Sequence, residues 1–255
     1  MQFYTDTHQD LVDTTLLAFR IAEDARIHLP AMVAMDGFVT SHTLMGAELP
    51  EQELVDRYLP PCQIRHQLSK ERPTTVGGLT WPRETEHHRV EIEEALKQVP
   101  AVLDEALNAF EEVFGRRPHG AVAAELTDDA DIVLVACNTI APTVRRVLAT
   151  RREKGQRIGM VKSKMFRPFP REEMARAIGS AKKVGVLDRN HSPGSGGIFW
   201  QEVALSLRQR SDVMVQDYLV GLGGGDVTPR FIEEIIDDLD ARREVTEPIW
   251  KEVAA

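Results

Sequence analysis

The stretch "PAMVAMDGFVTSHT" brings together three side chains that could take part in chemistry: Asp36 and the adjacent pair Ser41 and His42. A serine beside a histidine raises the question of a nucleophile and its base. Adjacent residues of an extended chain face opposite ways, and no GxSxG elbow surrounds Ser41, so the sequence argues against a self-contained hydrolase. Asp36 ends an apolar run, where it would either fix the following loop or meet a ligand, and both interpretations stay open.

Two glycine-rich loops carry the next candidates. "DRNHSPGSGG" contains Asp188 and Asn190, and "GLGGGDVTP" contains Asp226. Neither loop contains the phosphate-binding GxxxxGK[ST] pattern, and neither is a GxGxxG at a first β-turn. We interpret both as tight turns that need positive φ, with anion binding at the following helix N-termini as the alternative. Asp226 would either cap the last helix or contact a partner.

Arg167 lies in the stiff loop "FRPFP", between two phenylalanines and beside two prolines. A guanidinium stacked on an aromatic ring is typical of interfaces and of sites that bind anions. A purely structural turn is the other interpretation that the sequence leaves open.

Composition narrows the function classes. The chain has 255 residues, 42% hydrophobic and 28% charged, with a net charge of −9 that disfavours non-specific nucleic-acid binding. No apolar run approaches the roughly 20 residues that span a bilayer, and no signal peptide is visible. The two cysteines, Cys62 and Cys137, form no CxxC pattern, which argues against a disulfide scaffold, a zinc site or an iron–sulfur cluster in this chain. We expect no metal site here, and a cytoplasmic location.

The first part of the chain predicts an isolated αβ unit. "TDTHQDLVDTTLLAFRIAED" indicates a helix capped by Asp6 or Thr7, and "LPAMVAMD" indicates a short buried strand. One helix and one strand do not form a domain, so this unit needs a partner surface in this chain or another. From Glu48 to about Pro82 a proline-rich connector follows, with one helical turn at Glu51–Tyr58.

The remainder predicts a long helix and a complete α/β domain. "RETEHHRVEIEEALKQVPAVLDEALNAFEEVF" indicates a helix or helix pair with Pro100 as a break or kink. Strands are expected in "DIVLVAC", "RIGMVKSKMF", "KKVGVLDRN" and "DVMVQDYLVG", and each is followed by a helical pattern. This alternation predicts an α/β fold with a doubly wound, mostly parallel sheet, over about residues 121–245. Loops after parallel strands lie at the carboxyl edge, where such sheets bind ligands.

Taken in order, "MDGFVTSHT", "FGRRPHG", "KMFRPFP", "VLDRNHSPGSGG" and "GLGGGDVTP" resemble the alpha chain of the 2-oxoacid:ferredoxin oxidoreductases, in particular pyruvate:ferredoxin oxidoreductase and its close relatives. The resemblance covers nearly the whole chain. It implies a thiamine diphosphate enzyme that decarboxylates a 2-oxoacid, transfers the acyl group to coenzyme A and passes electrons through iron–sulfur clusters to ferredoxin. It further implies that a beta chain binds the diphosphate and Mg2+, and that partner chains carry the [4Fe-4S] clusters.

The resemblance also implies a domain organisation. Residues 1–50 would be the C-terminal tail of a pyrimidine-binding domain, 51–120 a connector with a long helix, 121–245 a transketolase C-terminal-like domain, and 246–255 a tail. The first part of the family's pyrimidine domain has no counterpart here, which predicts either a fragment or an alpha chain split into two polypeptides. The turn "ACNTIAPT" replaces the Gly-Ser type of turn that the family pattern would place after its strand.

The leading hypothesis is therefore a structural, interface-forming subunit of a 2-oxoacid oxidoreductase, inactive alone. The expected substrate is pyruvate, with a branched or aromatic 2-oxoacid as the alternative. Expected partners are the remaining alpha half, beta, gamma and ferredoxin-like delta chains, with ferredoxin or an NAD-linked flavin subunit as acceptor, and neither nucleic acid nor membrane. The rivals are a part of another thiamine enzyme, such as a transketolase or 2-oxoacid dehydrogenase beta chain, and a non-enzymatic α/β binding module. The candidate residues in loops near a subunit or active-site junction, none assigned a catalytic role, are Asp36, Ser41, His42, Arg167, Asp188, Asn190 and Asp226.

Overall fold

The structure is a computed structural model that describes residues 1–64 and 68–251. Its helices are α1 (His8–Ala22), α2 (Val39–His42), α3 (Gln52–Tyr58), α4 (Pro82–Phe114), α5 (Ile140–Glu153), α6 (Arg171–Ile178), α7 (Ile198–Ser206) and α8 (Pro229–Ala241). Its strands are β1 (Gln2–Tyr4), β2 (Met32–Ala34), β3 (Val122–Glu125), β4 (Ile132–Ala136), β5 (Ile158–Ser163), β6 (Met165–Arg167), β7 (Lys183–Asp188), β8 (His191–Ser192), β9 (Gly196–Gly197), β10 (Met214–Val220) and β11 (Ile249–Lys251). None of the helices in these residues is long and apolar enough to cross a membrane.

Six strands form the main sheet in the order β11-β10-β7-β4-β5-β3. All neighbours run parallel except β3, which is antiparallel to β5. The central strand β4 is buried throughout, and its side chains alternate between two cores: Leu134 faces the cluster that includes α5 and α8, whereas Val133 and Val135 face the one that includes α6 and α7. Helices on both faces of a mostly parallel sheet confirm the predicted doubly wound α/β fold.

The main sheet has its topological switch point between β4 and β7. From β4 the chain passes through α5 to β5 on one side, and the next strand of the sheet, β7, pairs with β4 on the other side. The loops after β4 and β7 therefore diverge and leave a crevice at the carboxyl edge. Open α/β sheets bind ligands in such a crevice.

A second, three-stranded sheet has the order β2-β1-β6 and contains two departures from the sequence predictions. The short strand β1 was not predicted. The single strand expected in "RIGMVKSKMF" is instead two strands, β5 in the main sheet and β6 paired antiparallel with β1. The chain changes sheets at Lys164, whose carbonyl accepts a hydrogen bond from Tyr4 N at 2.7 Å. The segment contains no glycine or proline between β5 and β6, so the sequence gives no turn signal for such a change.

The strand predicted in "LPAMVAMD" exists as β2 and pairs parallel with β1, but it is not buried as expected. It is the edge of the small sheet, and Met32 is 58% exposed. An unpaired edge strand with apolar side chains is the part of the fold that most readily accepts another polypeptide. The need of this strand for a partner surface therefore stays a prediction.

The helix α1 is capped as predicted. Thr7 Oγ1 accepts a hydrogen bond from Asp10 N at 3.0 Å. The helical turn expected in the connector is α3, and Tyr58 at its end is buried, with its hydroxyl donating to the carbonyl of Ala106 at 3.2 Å. Apolar residues of α1, α3 and α4 together form a third core, which also receives Met165 from β6.

The long helix α4 runs unbroken from Pro82 to Phe114, so the interpretation of Pro100 as a break between two helices is wrong. Pro100 is on the exposed side, where the missing N–H and the ring are most easily accommodated, while Val99 and Phe110 face the third core. The fully buried residues of α4 all lie from Val99 onward, and Leu96 in its first half packs against the third core as a partly buried residue.

The main sheet continues beyond the predicted domain boundary at 245. The strand β11 pairs parallel with β10, in a region expected to be a tail. Gln216, buried within β10, fixes the approach to β11 by accepting a hydrogen bond from Thr246 N at 2.9 Å. A three-residue strand held in this way has too short a periodic pattern to be identified from sequence.

Candidate functional site at the carboxyl edge

Asp36 fills the crevice at the switch point of the main sheet. It is 5% exposed, and its Oδ1 accepts a hydrogen bond from Asn138 Nδ2 at 2.9 Å. Its Oδ2 accepts from the backbone N–H of Thr139 at 2.9 Å and from the hydroxyl of the same residue, and forms an ion pair with Arg189 Nη1 at 2.9 Å. Of the two roles considered for Asp36, the geometry favours fixing the loop, because both oxygens are engaged by the protein itself.

Two local features of the surrounding loops accommodate the contacts of Asp36. Asn138, directly after β4, has a φ of +51°, a left-handed conformation that asparagine tolerates better than most residues. Gly221 packs against Arg189, and a Cβ at position 221 would lie 2.9 Å from the Arg189 Nε. The turn "ACNTIAPT", which departs from the family pattern, thus supplies three hydrogen-bond donors to Asp36 from two residues, Asn138 and Thr139. Asn138, Thr139 and Arg189 were not predicted as site residues.

Ser41 and His42 are in contact, contrary to the geometric assumption made from the sequence. The chain is helical here, in α2, so the two side chains do not face opposite ways. Ser41 Oγ lies 2.6 Å from His42 Nδ1 and accepts a hydrogen bond from Phe38 N at 2.9 Å. The imidazole also packs on the Phe38 ring, with 5.3 Å between centroids. The pair is exposed, and the described residues provide no carboxylate hydrogen-bonded to His42.

Asp188 and Asn190 lie together after β7 and organise the start of α7. Asp188 is fully buried; its Oδ1 accepts from Asn190 N at 2.8 Å, and its Oδ2 accepts from Phe199 N at 2.6 Å and Trp200 N at 3.1 Å. Burial raises the pKa of Asp188 to about 6, although the three backbone N–H groups favour the charged form. Asp188 therefore caps the N-terminus of α7, although it lies outside that helix at the end of β7.

Asp217, which the sequence analysis did not single out, faces Asp188 across Gly197. It is 1% exposed, and its Oδ2 accepts from Gly197 N at 2.7 Å. Burial raises the pKa of Asp217 as well. The available signal was the polar pair Gln216-Asp217 inside the apolar strand "DVMVQDYLV", because polar residues in a buried strand need specific partners.

Arg167 is not part of the Asp36 site. Its guanidinium stacks on Phe166, 4.0 Å from the ring centroid, and forms an ion pair with Glu202 at 2.9 Å. It lines a separate cavity of about 450 Å³ together with Pro100 of α4 and Phe169. The stacking expected from "FRPFP" occurs on one of the two rings, and the ion pair supports the structural interpretation.

Asp226 is exposed and does not cap the last helix. Thr228 does so, accepting a hydrogen bond from Phe231 N at 3.3 Å. The glycine-rich loop before Asp226 nevertheless approaches the Asp36 loop, since a Cβ at Gly224 would lie 3.4 Å from the Phe38 ring. Hence the segments containing Asp36, Ser41 and His42 converge with the loops after β4, β7 and β10, while Arg167 lies elsewhere.

A buried charge cluster joins α1 to β5, and sequence reasoning missed it. Lys162 Nζ forms ion pairs with Asp6 at 2.8 Å and Asp10 at 3.0 Å, and Lys164 Nζ pairs with Asp10 at 2.6 Å. Both lysines are almost fully buried. Burial would raise the pKa of Asp10, but Lys164 and Lys162 hold it well below its ordinary range. This cluster is a second tie between the first part of the chain and the main sheet.

The described residues contain no group of three or more His, Cys, Asp or Glu side chains that could hold a metal ion. They also present no free basic side chain at the switch point for a diphosphate, because Arg189 is paired with Asp36. The donor set present in this part of the chain therefore does not fit the Mg2+-diphosphate part of a thiamine cofactor.

Two family models match the chain. "Pyruvate flavodoxin/ferredoxin oxidoreductase, thiamine diP-bdg" matches residues 1–108, and "Pyruvate:ferredoxin oxidoreductase core domain II" matches residues 130–232. The chain belongs to the alpha-subunit family of the 2-oxoacid:ferredoxin oxidoreductases. It is 39% identical to the pyruvate synthase subunit PorA of Methanothermobacter thermautotrophicus over 92% of its own length and 61% of that protein's.

Other members of the family are similar to a comparable extent. Identity is 35% to pyruvate synthase subunit PorA of Pyrococcus furiosus, covering 99% of this chain and 62% of the relative. It is 36% to ketoisovalerate oxidoreductase subunit VorA of the same organism, covering 94% and 61%. The chain thus spans about three fifths of the length of these relatives. A solved 2-oxoglutarate:ferredoxin oxidoreductase from Magnetococcus marinus shares the fold, with a TM-score of 0.61 and 14% identity over 93% of this chain and 41% of the other.

Proposed function

We propose that this chain is a subunit of a thiamine-diphosphate-dependent assembly that converts a 2-oxoacid, with pyruvate as the preferred substrate, and coenzyme A to an acyl-CoA and CO2. Pyruvate is favoured because pyruvate synthase subunits are prominent among its relatives. The electrons released would pass to [4Fe-4S] clusters in partner chains and then to ferredoxin or, through a flavin subunit, to NAD. The assembly would work in the cytoplasm.

Within this assembly the chain acts mainly as a structural joint. The position of Asp36 supports this role. A doubly wound sheet ordinarily binds a ligand in the crevice at its switch point, and here the ion pair between Asp36 and Arg189 fills that crevice. Thiamine diphosphate, when bound, supplies the carbanion chemistry of the reaction. Because the described residues do not fit its Mg2+-diphosphate part, we assign that part, and the Mg2+, to other chains.

The joint presents a preformed surface to those chains. The segment after Asp36 is held to α1, since His8 Nε2 lies 3.1 Å from Thr43 O and Glu48 N donates to Gln9 Oε1 at 2.7 Å. Phe38 has a φ of +67°, a conformation that costs free energy for a bulky residue. Yet the apolar side chains of this anchored segment are exposed, among them Phe38, Leu44, Met45 and Leu49. An ordered apolar surface of this kind is typical of a protein interface.

The test is to isolate the assembly from the host through an affinity tag on this chain, and to identify the accompanying chains by mass spectrometry. Thiamine, iron and coenzyme A-dependent oxidation of pyruvate, 2-oxoisovalerate and 2-oxoglutarate are then measured. We expect beta, gamma and delta-type subunits, and the highest kcat/KM with pyruvate. Recovery of this chain alone, without thiamine or iron, would refute the proposal.

A further inference from the structure

A cavity of about 560 Å³ opens beside the start of α7, away from the Asp36 contacts. Its walls come from the loop after β7, the first turn of α7 and the segment that leads into β11. The residues that line it include His191, Trp200, Asp217, Thr246, Glu247 and Trp250. Its volume is within the range of sites that hold small organic molecules.

Asp217 gives this cavity a buried negative charge. Its side chain lines the cavity, and its Oδ1 has no hydrogen-bond partner within residues 1–64 and 68–251. The carboxylate of Asp188 is close by, because a Cβ at Gly197 would lie 2.5 Å from Asp188 Oδ2 and 2.6 Å from Asp217 Oδ1. In the described part of the chain, the ion pairs of lysine and arginine include neither carboxylate. A buried carboxylate without a counter-charge is costly, so it favours a proton or a cation.

The walls of the cavity are rigid and aromatic. Trp200 is fixed by a hydrogen bond from its Nε1 to Val215 O at 3.0 Å. The His191 ring packs edge-to-face on Trp250, with 4.7 Å between centroids. Buried Gln216 holds the opposite wall through Thr246 N at 2.9 Å. Aromatic faces around a carboxylate form a site for an organic cation, which gains from the charge and from the ring quadrupoles together.

We infer that this cavity binds an organic cation, an alkylammonium or a guanidinium group, with Asp217 as its counter-ion. A metal ion fits less well, because the described residues contain no group of three or more metal-ligating side chains and the walls are aromatic. The same chemistry is offered by a free small amine and by a lysine or arginine side chain of a partner subunit. The site is separate from the Asp36 joint and does not depend on the proposed 2-oxoacid reaction.

The experiment is a calorimetric titration of the full chain with n-butylammonium and with methylguanidinium, using n-butanol as the neutral probe. We expect both cations to bind saturably and n-butanol not to bind. Asp217→Asn keeps the shape and an acceptor for Gly197 N, and should weaken binding of both cations about tenfold. Glu244→Gln removes one negative charge from an exposed position near the same wall, and should leave affinity unchanged.

A second variant guards against a folding defect in the first. Trp250 is 54% exposed, so Trp250→Leu should fold normally and weaken cation binding about threefold through loss of one wall. Absence of saturable binding by the wild-type chain, or equal affinity in Asp217→Asn, would overturn the proposal. Repeating the titration on the assembly identifies the source of the cation: retained binding indicates a free amine, whereas binding seen only in the isolated chain indicates that a partner's basic side chain occupies the site.

Discussion

Gly197 is required by its neighbours and not by its backbone conformation. Its φ is −70°, which any residue adopts, yet a Cβ there would lie 2.5 Å from one carboxylate oxygen and 2.6 Å from another. Gly223 is the opposite case, with a φ of +66° and nothing within 4 Å of its Cβ position. Substitution of Gly197 therefore tests the effect of crowding, and substitution of Gly223 tests the effect of a positive φ.

We expect Gly197→Ala to lower the free energy of unfolding by about 3 kcal/mol, because α7 must move away from Asp188 and Asp217. Gly223→Ala, the matched control, should cost only about 1 kcal/mol for its positive φ. Urea unfolding followed by far-UV circular dichroism measures both. Equal costs at the two positions would contradict the crowding explanation.

Asp188 makes stability depend on pH in a direction opposite to that of a carboxylate in an ion pair. Its pKa is about 6 in the folded chain against an ordinary value of 3.8, so the folded state takes up a proton that the unfolded state releases. The buried charge lowers the free energy of unfolding above the folded pKa. This cost decreases as the pH falls from the folded pKa towards the ordinary value.

Relative to Asp188→Asn, the wild-type free energy of unfolding should therefore rise by about 1 kcal/mol between about pH 7 and about pH 5. The variant serves as the reference because other buried groups titrate in both proteins. Thermal or urea unfolding at a series of pH values gives the difference. A relative stability that does not change over this range would mean that Asp188 is ionised throughout in the folded state.

At the scale of the elements, two buried ties hold the first part of the chain to the main sheet. One joins the loop after β2 to the loops after β4 and β7 through Asp36, and the other joins α1 to β5 through Asp10. Both use charged groups that are largely removed from water, so loss of one partner leaves the other uncompensated.

Asp36→Asn should lower the free energy of unfolding by about 2–3 kcal/mol, since it removes the counter-charge of Arg189 and weakens two further hydrogen bonds. Asp226→Asn, an exposed aspartate on a neighbouring loop, is the matched control and should change stability by less than about 0.5 kcal/mol. Chemical unfolding of the three proteins provides the measurement. A near-neutral Asp36→Asn would show that the tie contributes little.

Asp10→Asn should cost about 3 kcal/mol, because Lys164 loses the carboxylate with which it pairs and Lys162 keeps only Asp6. The loss should persist in high salt, since buried pairs are weakly screened. Glu53→Gln, at an exposed position of α3, is the control for removal of one negative charge. If added salt reduced the wild type to the level of Asp10→Asn, the cluster would be accessible to solvent.

At the scale of the whole molecule, the exposed apolar segment after Asp36 and the open edge of β2 lie in the same part of the chain. Both surfaces are ordered by contacts with α1 or β1, so little conformational entropy remains to be lost on association. Such preorganisation fits a chain that functions in an assembly.

The double variant Phe38→Ser/Leu44→Ser should retain the wild-type stability of the isolated chain, because both side chains are exposed, but should weaken association with the other subunits at least about tenfold. Leu79→Ser, an equally exposed leucine in the connector, is the control. Affinity co-purification and pyruvate oxidation by the assembly report the effect. Normal assembly by the double variant would place the interface elsewhere.

The alternation of strands and helices and the doubly wound sheet could be predicted from the sequence, because both depend on short-range periodicity. The cap of α1 could be narrowed to Asp6 or Thr7, and the structure selects Thr7. The sequence also placed Asp188 and Asn190 in a loop at the carboxyl edge, and Asp36 at the end of a separate strand. It could not show that Asp36 meets Arg189, since the two are brought together only by the packing of separate units.

Which polar groups find partners depends on contacts between distant parts of the chain. Lys162 and Lys164 look like surface residues in "MVKSKMF", and their burial depends on carboxylates about 150 positions away along the chain. Three further features depend on the path of the backbone, which the sequence pattern did not show. They are the change of sheet at Lys164, the contact of Ser41 with His42 and the pairing of β11. A linear pattern records which residues are apolar, whereas long-range electrostatic and hydrogen-bond partners are set by the assembled fold.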